Sequence, residues 1–245
     1  MNLISDALAW IFAPEQWQGD GGLASLLGQH LLFTVVAVLI ASAIAIPAGW
    51  AIGHTGRGRE LAVGLAGVAR AVPSFGLLIL LVLLLGVLHK PEAAMLTFVV
   101  LAIPSLLAGA YTGFEAIDRK TIDAARAMGM TEWQILVKVE IPLGLALLVG
   151  GIRSAVLQVV ATVTVAAYVN LGGLGLPIIT GLNLRRFDMV LGGALMVAAL
   201  ALVLDLAFAI AQKAAVPHGL GVPSEKKKKT YQDTDDSITR EREMS

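Results

Sequence analysis

Five apolar segments, each long enough to cross a lipid bilayer, divide this chain of 245 residues. A helix needs about 20 apolar residues to span the hydrocarbon core of a membrane. The segments lack the alternation of apolar and polar residues that a membrane β-barrel requires. They cover Leu31–Ile52, Leu61–Leu88, Ala93–Phe114, Ile141–Val169 and Met189–Ala211. The sequence therefore predicts an all-α integral membrane protein with about five transmembrane helices.

The composition argues against several classes of function. The formal net charge is zero, so nothing in the overall charge favours a nucleic-acid partner. The chain has no cysteine, which excludes disulfides, a thiolate nucleophile and a cysteine-ligated metal. The four histidines have no metal-ligand spacing, and we expect them to be packed or interfacial. They are His30, His54, His89 and His218.

Basic residues are concentrated in the connections on one side of the predicted spans. That side carries Arg57, Arg59, Arg119, Lys120, Arg126, Lys138, Lys213, the lysine run 226–229, Arg240 and Arg242. The other side carries Lys90, Arg185 and Arg186. Since cytoplasmic connections are the basic ones, we expect the N-terminus outside and the C-terminus in the cytoplasm.

The chain divides into three parts by composition. Residues 1–22 predict a short amphipathic helix at the outer membrane surface, and residues 23–213 form the transmembrane domain. Residues 214–245 are polar and cannot bury enough apolar surface to order themselves, which predicts a disordered cytoplasmic tail. The four consecutive lysines of this tail favour contact with anionic headgroups of the membrane lipid.

A polar island lies between the third and fourth spans, at residues 118–142 on the predicted cytoplasmic side. Asp118 is placed to cap a first helix, and Gly129 suits the left-handed residue that ends it. Thr131 and Gln134 form a capping-box pattern for a second helix. Pro142 then marks the start of the fourth span, where its missing N–H costs nothing. An ordinary amphipathic connector between spans would show a similar pattern.

The residue series in this island resembles the EAA motif of binding-protein-dependent ABC importer permeases. The matching positions are Asp123, Ala124, Ala125, Gly129, Val139, Ile141 and Pro142, with Asp123 where the family usually has glutamate. The segments 151–183 and 70–74 resemble the osmoprotectant branch, whose members carry glycine betaine, carnitine, choline or proline. The likeness covers about residues 23–211.

The resemblance implies a type I importer fold in which the island is the coupling helix that docks on an ATPase. The residues expected to dock are Asp123, Ala124, Ala125, Arg126, Gly129, Met130 and Trp133. It also implies a bacterial cell-membrane complex of two permease subunits, identical or homologous, two ATPase subunits and an external substrate-binding protein. This chain lacks a G-x-x-x-x-G-K-[ST] loop, so ATP and magnesium are expected on the ATPase. We expect no cofactor in this chain and no enzymatic activity.

Several residues in or near the spans are candidates for the transport path or its gate. Arg153 and Asp205 are charges within spans, as is Arg70, and such charges usually face a cavity or a partner. Asp205 is expected to pair with Arg153 or Arg70, although snorkelling to the interface or a purely structural ion pair would explain them as well. Pro73 should kink the second span. The full set is Arg70, Pro73, Ser74, Arg153, Gln158, Tyr168, Asn170 and Asp205.

Three alternatives stay open from the sequence alone. A permease of the same fold could carry another small solute, such as an amino acid. A membrane-embedded enzyme would need paired carboxylates, a histidine cluster or a nucleophile–base pair within the spans, and the sequence offers none. A passive channel would have no use for a coupling helix.

The glycine pairs 49/53 and 109/113 predict close packing between helices.

Overall fold

The computed structural model describes residues 2–216, with the side chains of Leu65, Ala69 and Arg70 excepted. Within that part the chain is helical and has no strand. The predicted tail from residue 217 onward lies outside the described residues. The α-helices are α1 (Leu3–Phe12), α2 (Leu23–Thr55), α3 (Arg59–Ala71), α4 (Ser74–Leu85), α5 (Lys90–Glu115), α6 (Arg119–Ala127), α7 (Glu132–Ile135), α8 (Ile141–Val165), α9 (Leu176–Leu184) and α10 (Phe187–Ala214).

Four helical runs are long and apolar enough to cross a membrane. They cover Leu23–Thr55, Val87–Glu115, Glu132–Val169 and Phe187–Ala214. They agree with the first, third, fourth and fifth predicted spans, and they make the chain a multi-pass membrane protein.

The second predicted span, residues 61–88, is not one helix. It consists of α3 and α4, which are separated by extended backbone at Val72 and Pro73 (ψ 124° and 121°). Proline pushes the residue before it out of the helical region and cannot donate to the preceding turn. The expected kink at Pro73 is therefore a complete break.

The core of the protein is formed by α2, α5 and α8, which pack at backbone distance. A Cβ atom built on Gly109 of α5 would lie 2.7 Å from the Cα of Gly151 in α8, and one on Gly113 would lie 2.8 Å from the carbonyl oxygen of Gly144. On the α2 side, a Cβ atom on Gly53 would lie 2.9 Å from the Cβ of Phe114. Only glycine allows helices this close, which confirms the predicted role of these residues.

The N-terminal segment forms a helix, as its apolar spacing predicts, and it packs on α10. Trp10 and Ile11 are buried there with Leu23, and the indole ring of Trp10 rests on the bare backbone of Gly192. The indole N–H of Trp17 donates to the carbonyl of Ile11 at 2.6 Å, which holds the following turn against α1.

Helix α8 begins at Ile141 with Pro142 in its first turn, as the sequence predicts, but the helical backbone before it is not interrupted. Helix α7 continues into a π-helical turn over Leu136–Glu140, which leads directly into α8. A π-turn bonds residue i to i+5 and so contains one residue more than an α-turn. Since Pro142 lies immediately after this wider turn, its missing donor interrupts the bonding pattern without ending the helix.

Candidate functional site

The polar island between the third and fourth spans folds as two short helices joined by a turn, and we call residues 118–135 the coupling unit. Its caps form as predicted. The Asp118 carboxylate accepts from the Lys120 N–H at 2.9 Å. The Thr131 hydroxyl accepts from the Gln134 N–H at 3.3 Å, while the Gln134 side chain accepts from the Thr131 N–H at 2.9 Å. Gly129 has φ +82°, the left-handed conformation that its position requires.

An ion pair closes the turn between α6 and α7. Arg126 donates from Nε and a terminal nitrogen to the two carboxylate oxygens of Glu132, at 2.8 and 3.1 Å. The hydrogen bonds that Arg126 donates to Glu132, together with the negative charge of that carboxylate, raise the pKa of Arg126 above its ordinary value. Asp123 also lies beside Arg126, with one carboxylate oxygen 3.6 Å from a terminal guanidinium nitrogen.

The side chains expected to dock on the ATPase do not all point outward. Ala125 is only 3% exposed and packs into the chain, whereas the neighbouring Ala124 is exposed. Met128 and Trp133 are 76% and 72% exposed. Met130 is half-buried. The outward surface is therefore formed by Ala124, Met128 and Trp133, and Ala125 is a packing residue.

One contact that the sequence did not predict joins the coupling unit to the first span. His54, in the last turn of α2, places Nδ1 2.5 Å from the Glu140 carboxylate and Nε2 3.7 Å from the Glu132 carboxylate. Glu140 is buried in the π-helical turn. The signal in the sequence was a lone glutamate in the apolar run LVKVEIP. A buried carboxylate needs a partner, but the sequence does not say which one.

The charge pair within the spans forms as expected. Arg153 of α8 donates from Nε and a terminal nitrogen to both carboxylate oxygens of Asp205 in α10, each at 2.6 Å. Arg153 lies 12 residues into α8, about 18 Å along the helix at 1.5 Å per residue. Of the two partners considered for Asp205, the structure selects Arg153. The side chain of Arg70 is outside the described part of the protein.

The glycine-rich segment after the fourth span is held by the first span. The helical run ends at Val169, and Asn170, Gly172 and Gly173 all have positive φ. The Gln29 side chain accepts from the Gly173 N–H at 3.2 Å. His30, fully buried, accepts at Nδ1 from the Leu174 N–H at 3.2 Å and lies 3.2 Å from the Val160 carbonyl through Nε2. Nothing in the sequence spacing pointed to Gln29 or His30.

One exposed stripe, which we call the stripe on α8, runs along α8 and the short turn after it and contains two of the predicted path residues, Gln158 and Tyr168. Ser154, Gln158, Ala161 and Tyr168 recur every three to seven residues and are all exposed. The Tyr168 ring lies 5.1 Å, centre to centre, from the ring of Phe75, which follows Pro73 and Ser74 at the start of α4. The break in the second span and the end of the fourth span therefore meet. The Arg153–Asp205 pair lies on the contact between α8 and α10.

Comparison with known proteins agrees with this architecture. Residues 41–218 match the family described as binding-protein-dependent transport system inner membrane component. The carnitine transport permease protein OpuCB of Listeria monocytogenes is 37% identical over 179 residues, which cover 73% of this chain and 81% of that protein. The osmoprotectant import permease protein OsmW of Salmonella typhimurium is 34% identical over 203 residues, covering 82% and 94%.

Solved structures show the same fold. The inward-facing MetNI methionine ABC transporter aligns with a TM-score of 0.69 at 21% identity, covering 80% of this chain and 96% of that one.

A third relative by sequence, the glycine betaine/carnitine/choline transport system permease protein OpuCB of Bacillus subtilis, is 31% identical over 204 residues, which cover 83% of this chain and 93% of that protein. With its family match over residues 41–218, this chain belongs to the binding-protein-dependent transport system inner membrane components, the permease subunits of ABC importers.

Proposed function

We propose that this chain is the permease subunit of an ATP-driven importer for osmoprotectants: glycine betaine, carnitine, choline or proline. The observation that carries the proposal is the coupling unit. It is self-capped, polar and exposed, and it leads without interruption into a membrane-spanning helix. The names of the relatives supply the substrate class, since they include carnitine, choline and glycine betaine permeases.

The coupling unit presents a surface suited to a groove on a separate ATPase. Ala124 allows close approach, while Met128 and Trp133 offer large apolar side chains beside the charges of Asp123 and Arg126. Exposed apolar side chains on a polar unit favour a protein partner. ATP and magnesium bind that ATPase, and its movement reaches the membrane helices through this unit. The N-terminus lies outside and the C-terminus in the cytoplasm.

The exposed stripe on α8 is suited to line the transport path. Ser154, Gln158 and Tyr168 bring an amide and hydroxyls into a membrane span, where polar groups favour a wet cavity or a partner over lipid. Tyr168 and Phe75 add aromatic faces, which attract quaternary ammonium groups. With Asn170 at the outer end, this face meets a second permease subunit, and an external binding protein delivers the solute.

The docking surface is tested by Ala124→Arg in the complex produced with its ATPase and binding protein. Since Ala124 is exposed, arginine leaves the fold intact but obstructs docking, and we expect the ATPase to be lost from the purified complex. Gln18→Arg, an exposed change before the N-terminal end of α2, is the matched control and should retain it. Full recovery of the ATPase with Ala124→Arg would overturn the docking assignment.

The substrate class is tested by uptake of radiolabelled solute at high salt in a strain that lacks its own osmoprotectant importers. The complete complex should import at least one of glycine betaine, carnitine, choline and proline, and should restore growth. If none of the four enters while another amino acid does, the substrate assignment is wrong and the permease assignment stands.

A further inference from the structure

His54 lies where the coupling unit, the first span and the fourth span meet. Its Nδ1 lies 2.5 Å from Glu140, which is only 6% exposed, and its Nε2 lies 3.7 Å from Glu132. Burial of an unpaired carboxylate is costly, so the bond to Glu140 is the firm one of the two contacts. The contact with Glu132 is longer and its partner more exposed, which makes it the weaker contact.

The firm contact joins two helices that are already locked together through α5. His54 follows Gly53, whose backbone packs on Phe114 of α5. Glu140 lies one turn before Gly144, whose backbone packs on Gly113 of the same helix. The His54–Glu140 bond therefore belongs to the close-packed block of α2, α5 and α8 and moves with it.

The weaker contact reaches the coupling unit. The Glu132 carboxylate that faces His54 also receives both hydrogen bonds from Arg126, so a continuous polar chain runs from α6 to the block. Beside this chain lies a polar cavity of about 570 Å³, lined by His54, Glu115, Arg126 and Glu140 among others. Because this cavity separates α6 from the ends of α2 and α5, these helices are connected there by side-chain contacts.

We propose that His54 is a positioning residue through which movement of the coupling unit reaches the first and fourth spans together. The inference rests on the proposed function, because it assumes that an ATPase moves this unit. Without the imidazole, the unit can turn as a whole about the π-helical turn without drawing α2 along. ATP hydrolysis then continues with less solute imported for each ATP.

The test measures ATP hydrolysed per solute imported by the full complex in liposomes, with His54→Gln. We expect the variant to assemble and to retain substrate-stimulated hydrolysis, while the ratio rises at least about fivefold, the low end of coupling between sites. His89→Gln is the matched control. His89 also faces a glutamate, Glu92 at 3.9 Å, but both side chains are exposed and lie away from the coupling unit.

A second variant keeps the test decisive if His54→Gln does not assemble. Glu132→Gln changes an exposed carboxylate, removes the link to His54, and should also raise the ratio. An unchanged ratio in the variants that assemble, or a loss of uptake and hydrolysis in equal proportion, overturns the inference. If wild type and His89→Gln themselves show no solute-stimulated hydrolysis, the proposed function fails first and this inference with it.

Discussion

The two ends of the fourth helical run, Glu132–Val169, are built in opposite ways. The coupling unit at one end is held by contacts between neighbours: Asp118 with Lys120, Thr131 with Gln134, and Arg126 with Glu132, at most six residues apart. The glycine-rich loop at the other end is held by Gln29 and His30, 144 residues away from the N–H groups they bind.

This difference has a physical consequence. Local caps and ion pairs form as soon as their own segment is helical, so the coupling unit keeps its shape whatever the membrane helices do. The loop also has local turn hydrogen bonds, but its contacts with Gln29 and His30 exist only while α2 and α8 are packed against each other. One end is therefore suited to be a rigid surface for a partner, and the other is suited to change with the arrangement of the helices.

The largest effect is expected from His30→Ala. The change leaves the Leu174 N–H without its buried partner and opens a cavity, which should cost about 3 kcal/mol or more, while the Val160 carbonyl still accepts from the Thr164 hydroxyl. Denaturation of the purified protein in detergent measures it, and His89→Ala, an exposed histidine, should cost almost nothing. ATPase binding should survive in the folded fraction. Loss of that binding there would show that the two ends are not independent.

The next effect is expected from Asp205→Asn, between the two ends. Asparagine cannot balance the charge of Arg153, so the contact between α8 and α10 should be weakened. Uptake assays should show a clear loss of import, and Arg153→Gln added to Asp205→Asn should restore part of it. Normal import by Asp205→Asn alone would show that transport does not depend on the Arg153–Asp205 pair.

Gly129→Val should strain the turn of the coupling unit by about 1–2 kcal/mol, because a β-branched residue is forced to φ +82°. We expect reduced recovery of the ATPase with an unaffected glycine-rich loop, the reverse of His30→Ala. Gly129→Asn is the matched control, since asparagine tolerates left-handed backbone. Equal recovery of the ATPase with the valine and asparagine variants would show that the turn does not require glycine.

The smallest effects come from a matched pair, Thr131→Ala and Gln29→Ala, each of which removes one side-chain hydrogen bond to the backbone at one end. Loss of the helix cap at Thr131 should cost about 1 kcal/mol. Hydrogen exchange should show faster opening at residues 131–135 in the first variant and at 172–174 in the second. Exchange that increases at both ends in either variant would contradict their separation.

The same contrast explains how much the sequence predicted. The caps at Asp118 and Thr131 and the turn at Gly129 were predictable because each signal lies within a few residues of its effect. The Arg153–Asp205 pair was predictable as one of two choices, because few charges lie within the spans. The partners of Glu140 and of the glycine loop depend on which helices are neighbours and how each is rotated, and spacing along the chain does not contain that information.

Two details of the coupling unit and its exit were beyond the sequence. Ala125 was expected on the docking surface with Ala124, but the rotation of α6 turns it inward. Pro142 lies in the first turn of α8 as predicted, but the π-helical turn that joins α7 to α8 without a break was not foreseen. In both cases the type of element was right, and its rotation or bonding was decided by packing.

The π-helical turn at Leu136–Glu140 has one more consequence, which concerns angle. Each residue of an α-helix advances the direction of its side chain by about 100° around the axis, so one extra residue in a turn sets a new angular phase for everything beyond it. This turn fixes the direction in which the Trp133 side chain points around the helix axis, relative to Gly144. Rewinding it into regular α-turns without removing a residue would rotate the surface that we propose faces the ATPase by about a quarter-turn, whereas deleting the extra residue would leave the direction of that surface almost unchanged.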